Sequence, residues 1–150
     1  MELCENSPVL MVDDDPDDFF LARHAFKQSG LQKDFQMVSD GQELMDYLYR
    51  RGKFANLEKT SWPCLILLDL NMPRKDGREV LREMKEDPDF RRIPVVVFTT
   101  SCDESDIASC YELGANSYIT KPAKFDSLVE VMTSLEKYWL KVVRLPDCQD

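Results

Sequence analysis

Short unbroken apolar runs alternate along the chain with longer segments of helical periodicity. Val9-Leu10-Met11-Val12, Cys64-Leu65-Ile66-Leu67-Leu68 and Ile93-Pro94-Val95-Val96-Val97-Phe98 are runs of the first kind. A run with no polar interruption reads as a parallel strand buried on both faces. With weaker runs ending near Val38 and Thr120, the pattern predicts strands near residues 8–13, 34–38, 64–69, 94–99 and 116–120. Helical patterns between them open on capping chemistry. Asp15-Pro16 places an N-cap before a first-turn proline, and Asp40-x-x-Glu43, Asp76-x-x-Glu79 and Ser101-x-x-Glu104 have the form of capping boxes. Gly30, Gly52 and Gly114 each follow a helical pattern and mark its stop. This alternation predicts an α/β fold, a doubly wound five-stranded parallel sheet flanked by five helices with right-handed crossovers. The stretch from Arg50 to Pro63 is irregular, long for a connection, and reads as an exposed loop.

The chemistry gathers at the strand ends. Asp69 closes the central run just before Asn71-Met72-Pro73, so it emerges at the carboxyl edge, where open α/β sheets bind ligands. A strand-end aspartate standing alone is as readily a turn residue. Here Asp13-Asp14-Asp15 closes the first run, Thr99-Thr100 closes the fourth, and Ser117-Tyr118-Ile119-Thr120 leads into Lys121-Pro122. Any one of these is ordinary, but the ordered set of acidic pair, Asp, Thr and Lys-Pro is not. Crowded carboxylates suit a hard divalent cation, and a lysine amine neutralises a phosphoryl group as a point charge.

This constellation resembles the response-regulator receiver domain of two-component signalling over nearly the whole chain. The matching residues are Asp13 and Asp14 of Val-Asp-Asp-Asp-Pro, Asp69 of Leu-Asp-Leu-Asn-Met-Pro-Arg-Lys-Asp-Gly, Thr99 of Phe-Thr-Thr-Ser and Lys121 of Ile-Thr-Lys-Pro. The resemblance implies a flavodoxin-like, CheY-like fold and a phosphorelay function. Asp69 would accept a phosphoryl group from a histidine kinase in a Mg²⁺-dependent reaction. Asp14, Asp69 and the Asn71 main-chain carbonyl would ligate the metal, with Asp13 acting through water. Lys121 and Thr99 would serve the transfer, and Thr99 with Tyr118 would switch a protein-interaction face. Such a protein is not an enzyme toward other substrates, since it catalyses only its own phosphorylation and dephosphorylation. Pro-Arg-Lys-Asp-Gly-Arg-Glu-Val-Leu, Leu-Gly-Ala-Asn-Ser-Tyr and the tail Tyr-Trp-Leu-Lys-Val-Val-Arg-Leu-Pro are similar to single-domain receivers that partner phytochrome-type photoreceptor kinases. A pseudo-receiver, an interaction module that is never phosphorylated, would share the fold. A haloacid-dehalogenase-like phosphatase would need a second acid where Asn71 stands, and a nucleotide-binding flavodoxin relative would need a clustered glycine loop that the five scattered glycines do not form.

Size and charge narrow the partners. The 150 residues fit one receiver domain, residues 1–150 with a core of about 7–143 and short mobile termini, able to bury about 68–70% of the unfolded surface. A net charge of −9 argues against nucleic acid. No long apolar stretch or basic leader is present, so a cytoplasmic protein without membrane attachment is expected. No residues remain for an output domain, so output is expected through a downstream phosphotransfer or effector protein. The five cysteines form no metal or redox spacing and read as reduced thiols. His24 reads as a surface residue of the first helix. Phe19 and Phe20 cannot both face the core beside Leu21, Ala25 and Phe26, and the first helical turn (Asp15, Asp18, Phe19) with Pro122-Ala123 should border the approaching kinase histidine. Leu128, Val131, Met132, Leu135, Trp139 and Val142 form an apolar stripe. It either packs on the sheet or, with Tyr118 and Tyr138, supports a homodimer through the last two helices and the strand between them, strengthened by phosphorylation.

Overall fold

A computed structural model describes residues 7–28, 30, 33–57 and 62–146. The elements run β1 (Val9–Val12), α1 (Pro16–Lys27), β2 (Phe35–Val38), α2 (Gly41–Tyr49), a 3₁₀ turn (Gly52–Phe54), β3 (Leu65–Leu68), α3 (Gly77–Glu86), β4 (Val95–Thr99), α4 (Glu104–Glu112), β5 (Ser117–Thr120) and α5 (Phe125–Lys137), which passes into a π-helical turn at Tyr138–Val142. The strands pair in parallel in the order β2-β1-β3-β4-β5. Each falls within its predicted range.

The unbroken apolar runs have a direct cause. Leu10, Val12, Ile66, Leu68, Val95 and Val97 face one core, against α2, α3 and α4. Their neighbours Val9, Met11, Leu65, Leu67, Val96 and Phe98 face the other, against α1 and α5. Every central-strand position is therefore covered, and none has reason to be polar. Cys64 and Cys110 are buried and Cys102 is exposed, all as free thiols; burial pushes the Cys64 thiol up to about 11. Cys4 and Cys148 lie outside the described residues.

Local signals are met unevenly. Asp15 caps α1 through the Asp17 N–H, and Asp76 with Glu79 makes a full capping box on α3. On α2 the box is half made, because Asp40 accepts from the Glu43 N–H while Glu43 reaches past it to the Ser39 N–H. Ser101 is not the cap of α4. Asp103 takes that place through the Ser105 N–H at 3.1 Å, and the Ser101 hydroxyl donates instead to Asp106 at 2.7 Å. α2 stops before Gly52, at Arg50, which adopts a left-handed backbone with φ 56°. Its guanidinium donates to the Tyr47 carbonyl at 2.8 Å, which helps hold that conformation.

Three expectations about surface and core need correction. The 50–63 stretch is not simply an exposed loop: Phe54, Leu57 and Trp62 pack on the core, and the Trp62 indole donates to the Leu48 carbonyl at 3.2 Å. Residues 58–61 of it lie outside the described set. On α1, Phe19 stacks on Phe35 and Phe20 is 68% exposed, but Leu21 also faces outward, the core being served by Ala22, Ala25 and Phe26. His24 is exposed, beside the Phe125 ring. On α5, Leu128, Met132 and Leu135 are buried while Val142 is 62% exposed. The π turn, closed by Val143 N–H to the Tyr138 carbonyl at 2.8 Å, winds wider than 3.6 residues and carries Val142 off the stripe. No helix among the described residues is long and apolar enough to cross a membrane.

The turn after β3 is set by a close approach. A Cβ on Gly77 would meet the Asp69 carbonyl and come within 2.9 Å of the Leu70 Cα, while the Gly77 N–H bonds the Leu70 carbonyl at 3.0 Å. Neither obstacle is a flexible side-chain end. Gly77→Ala is expected to cost about 1–3 kcal/mol in urea unfolding through overpacking, and to shift the Asp69 amide resonance. Unaltered stability with an unaltered Asp69 resonance would show that the turn yields freely.

Candidate functional site

β1 and β3 are neighbours with Val12 opposite Leu68, so Asp13 and Asp69, the next residue of each, leave the sheet side by side. The Asp69 N–H donates to the Val12 carbonyl at 3.0 Å and locks this register one step beyond the strands. Asp13, Asp14 and Asp69 offer carboxylate oxygens that all lie within 4.8 Å of one another. Asp13 and Asp69 are buried and Asp14 is exposed. On the other side of the sheet, Thr99 pairs with Thr120 and its carbonyl accepts from the Lys121 N–H at 2.7 Å. That contact sets the direction in which the lysine leaves β5.

The Lys121 ammonium crosses back to the acids. It lies 2.6 Å from Asp13 Oδ2, 2.9 Å from Asp18 Oδ2 and 3.6 Å from Asp69 Oδ2. Burial works against its charge, but the hydrogen bonds to Asp13 and Asp18 and the Asp69 charge outweigh it, and the proton is held above the ordinary lysine range. Burial, aided by the Asp69 charge, pushes Asp13 above the ordinary carboxylate range despite its bonds with Lys121 and the Asp15 N–H. The two directions are opposed across one contact. The charged ammonium is the firmer of them, since several acids face it, whereas Asp13 must share its one cation. A hard divalent ion would relieve Asp13 where Lys121 alone does not, so the donor set fits such an ion.

Asp69 Oδ1 accepts the Leu70 N–H at 2.8 Å, leaving Oδ2 on the side of Lys121. Thr99 is fully buried, and its Oγ1 has no hydrogen-bond partner. A buried unpaired hydroxyl costs about 1–3 kcal/mol, so Thr99 favours any acceptor that comes within reach. Tyr118 is half-buried, and its hydroxyl donates to the Ser101 carbonyl at 2.9 Å. The Ser101 hydroxyl holds Asp106, which pairs with Arg78. A line of contacts thus runs from β5, across the β4–α4 connection, to the start of α3. On the far side of the pocket, Arg74, itself left-handed at φ 67°, donates from Nε to the buried Asp40 at 2.8 Å and ties down the segment after Asp69.

Asp13, Asp14, Asp69 and Lys121 therefore meet in one cluster, while Thr99 ends β4, joined to the base of Lys121 through its carbonyl, and Asn71 is exposed where the β3–α3 connection begins. Asp18, expected to border the route of an incoming kinase, is also bonded to Lys121. A first-turn helical position was the available signal, because side chains there lean back toward the strand end that precedes them. Arg78 carried no signal, its partner lying 28 residues away.

Residues 9–133 match the family "Response regulator receiver domain". Over 138 residues the chain is 42% identical to the response regulator Rcp1 of Synechocystis sp., covering 92% of each protein. It is 35% identical to the probable methanogenesis regulatory protein FilR2 of Methanothrix harundinacea, covering 92% of this chain and 86% of that one. Among solved structures, the phosphorylated cyanobacterial phytochrome response regulator RcpA superposes with a TM-score of 0.86 at 44% identity, over 94% of this chain and 99% of that one. The Mn²⁺-bound form of Rcp1 gives 0.83 at 41%, over 93% and 99%. RPA3017, a response regulator in red light signalling of R. palustris, gives 0.84 at 36%, over 93% and 98%. The likeness runs through every strand that contributes to the pocket, and the chain belongs to the response-regulator receiver domains of two-component signalling.

Proposed function

We propose that Asp69 is the phosphoacceptor of a Mg²⁺-dependent relay whose donor is a phosphohistidine on a phytochrome-type photoreceptor kinase. The observation that carries this is Asp69 Oδ2, 3.6 Å from the Lys121 ammonium and beside two further carboxylates at cation-binding spacing. The Leu70 N–H holds Oδ1, which makes Oδ2 the nucleophile. It attacks phosphorus; the O–P bond forms as the P–N bond breaks, the electron pair leaves on the imidazole nitrogen, and Asp69 becomes an acyl phosphate. Asp14, Asp69, the Asn71 carbonyl and, through water, Asp13 would hold Mg²⁺, which supplies positive charge to the transferring oxygens. Lys121 supplies the second positive charge. Thr99 donates its unpaired hydroxyl to the new phosphoryl group, its connection moves inward, and Tyr118 loses the Ser101 carbonyl in its present position.

RcpA is a phytochrome response regulator and RPA3017 works in red light signalling, which supports a light-sensing histidine kinase as donor. A downstream phosphotransfer or effector protein receives the output, and a second copy of the chain is a further partner. An open groove of about 840 Å³ beside β5 and α5 includes Ile119, Val131, Leu135, Tyr138 and Trp139. Asn116, Ser117, Ser127, Glu130 and Ser134 complete its lining, and a C₂ contact would cover the groove on both chains at once.

Acetyl phosphate with Mg²⁺ should add about 80 Da, one phosphoryl group, to the wild type and nothing to Asp69→Asn or to chelator-treated protein. Labelling that persists in Asp69→Asn would move the acceptor elsewhere, and an unlabelled wild type would favour the pseudo-receiver. Thr99→Ala should still be labelled, but the amide shifts that phosphorylation causes at Ser101 and Tyr118 should fall by about half or more. A full wild-type response would remove Thr99 from the switch. Sedimentation at about 100 μM, a concentration that captures weak contacts of micromolar strength, should show a dimer that beryllofluoride strengthens. A monomer under both conditions would eliminate the proposed interface.

A further inference from the structure

Asp18 is unexplained by the site as described. It stands on the first turn of α1, outside the carboxylate group that faces a cation. Yet its Oδ2 lies 2.9 Å from the Lys121 ammonium, as close as a hydrogen bond requires, while Asp69 is at 3.6 Å. An ammonium has three donors. In the resting pocket one is given to Asp13 and one to Asp18, and the third is left toward Asp69. The Asp13 bond cannot be relied on during the reaction. Asp13 shares its charge with any divalent ion held by Asp14 and Asp69, and a carboxylate so engaged is a weaker partner for lysine. Without another tether, a flexible four-carbon chain would swing toward bulk water. Asp18 remains available throughout, because it reaches the ammonium from α1 rather than from the metal side.

We propose that Asp18 is a positioning residue for phosphoryl transfer: it anchors Lys121 from the α1 side, so that the ammonium keeps its third donor aimed at Asp69 when Asp13 turns to the cation. This rests on Asp69 being the phosphoacceptor. Asp18 makes no contact with the transferred group. Its effect passes entirely through Lys121, which distinguishes it from a residue that merely adds negative charge near the pocket or contacts the kinase.

That dependence gives the test, a double-mutant cycle on the full chain with acetyl phosphate as a donor that has no docking surface. At saturating Mg²⁺, Asp18→Asn should slow phosphorylation about tenfold, the size of effect that misplacing a catalytic group by a fraction of an ångström produces. Asp18→Glu, which keeps the carboxylate, should recover most of the rate. In a Lys121→Ala background, Asp18→Asn should cause no further slowing. As a readout independent of turnover, the Lys121 ¹⁵Nζ ammonium resonance should be visible in Mg²⁺-loaded wild type, where its protons are held from exchange, and lost in Asp18→Asn. Wild-type or faster labelling of Asp18→Asn would overturn the proposal, as would slowing that persists without Lys121. If the wild type itself accepts no phosphoryl group, the phosphoacceptor reading fails instead. The ammonium resonance then decides alone, and its persistence in Asp18→Asn overturns the anchor.

Discussion

Carboxylates that cannot escape one another set the terms for this molecule. Asp13, Asp14 and Asp69 hold oxygens within 4.8 Å of each other, and at such spacing each charged pair repels by about 3–4 kcal/mol at an effective dielectric of ~20. Parallel pairing of β1 with β3 makes this unavoidable, since the residue after each strand leaves the sheet at the same height. The Lys121 ammonium, the Asp15 N–H on Asp13 and the Leu70 N–H on Asp69 offset it, the ammonium from a half-buried position that is itself costly to charge. The resting cluster thus keeps repulsion that its partners only partly relieve, which suits a cation and, on the proposed reading, a phosphoryl group beside it.

Such a pocket works only on a rigid edge. The central strands are covered on both faces, by α2, α3 and α4 on one side and by α1 and α5 on the other, and a close-packed interior of this kind does not deform gradually. Movement is left to the connections. The one after β4 is lightly held: Thr100, Cys102 and Asp103 are exposed, and Ser101 is held chiefly by Tyr118 and Asp106. Those two contacts lead to β5 and, by way of Arg78, to α3. A change at Thr99 has few ways to travel except along them.

What could be read from the chain follows the range of the forces involved. Buried strands were legible because two-sided burial writes itself as an apolar run, and the Asp69, Thr99 and Lys121 positions followed from where those runs end. Local signals did less well where a competitor sat nearby. Ser101 had the spacing of a cap, but Asp103 is closer to the helix start and Asp106 accepts its hydroxyl. Gly52 looked like a stop, but Arg50 turned left-handed first, with its guanidinium on the Tyr47 carbonyl. Leu21 and Val142 fell outward because helix rotation is set by neighbouring elements and by the π turn, which no residue in the stripe announces. The bond from Asp18 to Lys121 spans 103 positions, and that from Arg78 to Asp106 spans 28. Contacts of that kind exist only once the topology does.

The unpaired Thr99 hydroxyl bounds what phosphorylation can achieve by itself. A hydrogen bond from Thr99 to a charged phosphoryl oxygen is worth about 1.5–3 kcal/mol, whereas driving a two-state equilibrium from 1:99 to 99:1 takes about 5.5 kcal/mol. Lys121 cannot supply the whole difference. It already faces the Asp69 carboxylate at 3.6 Å and is bonded to Asp18 before the phosphoryl group arrives, so its gain is the difference between old and new partners rather than a full interaction. Phosphorylation at Asp69 would then leave the switch incompletely thrown, with the balance supplied by whatever binds the altered face. By linkage, a partner that prefers the switched conformation must in turn stabilise the phosphorylated state to the same extent. If Thr99 acts as proposed, the weakness of its contact would make output and phosphoryl occupancy mutually dependent, which is a property a relay can use and a simple on–off latch cannot.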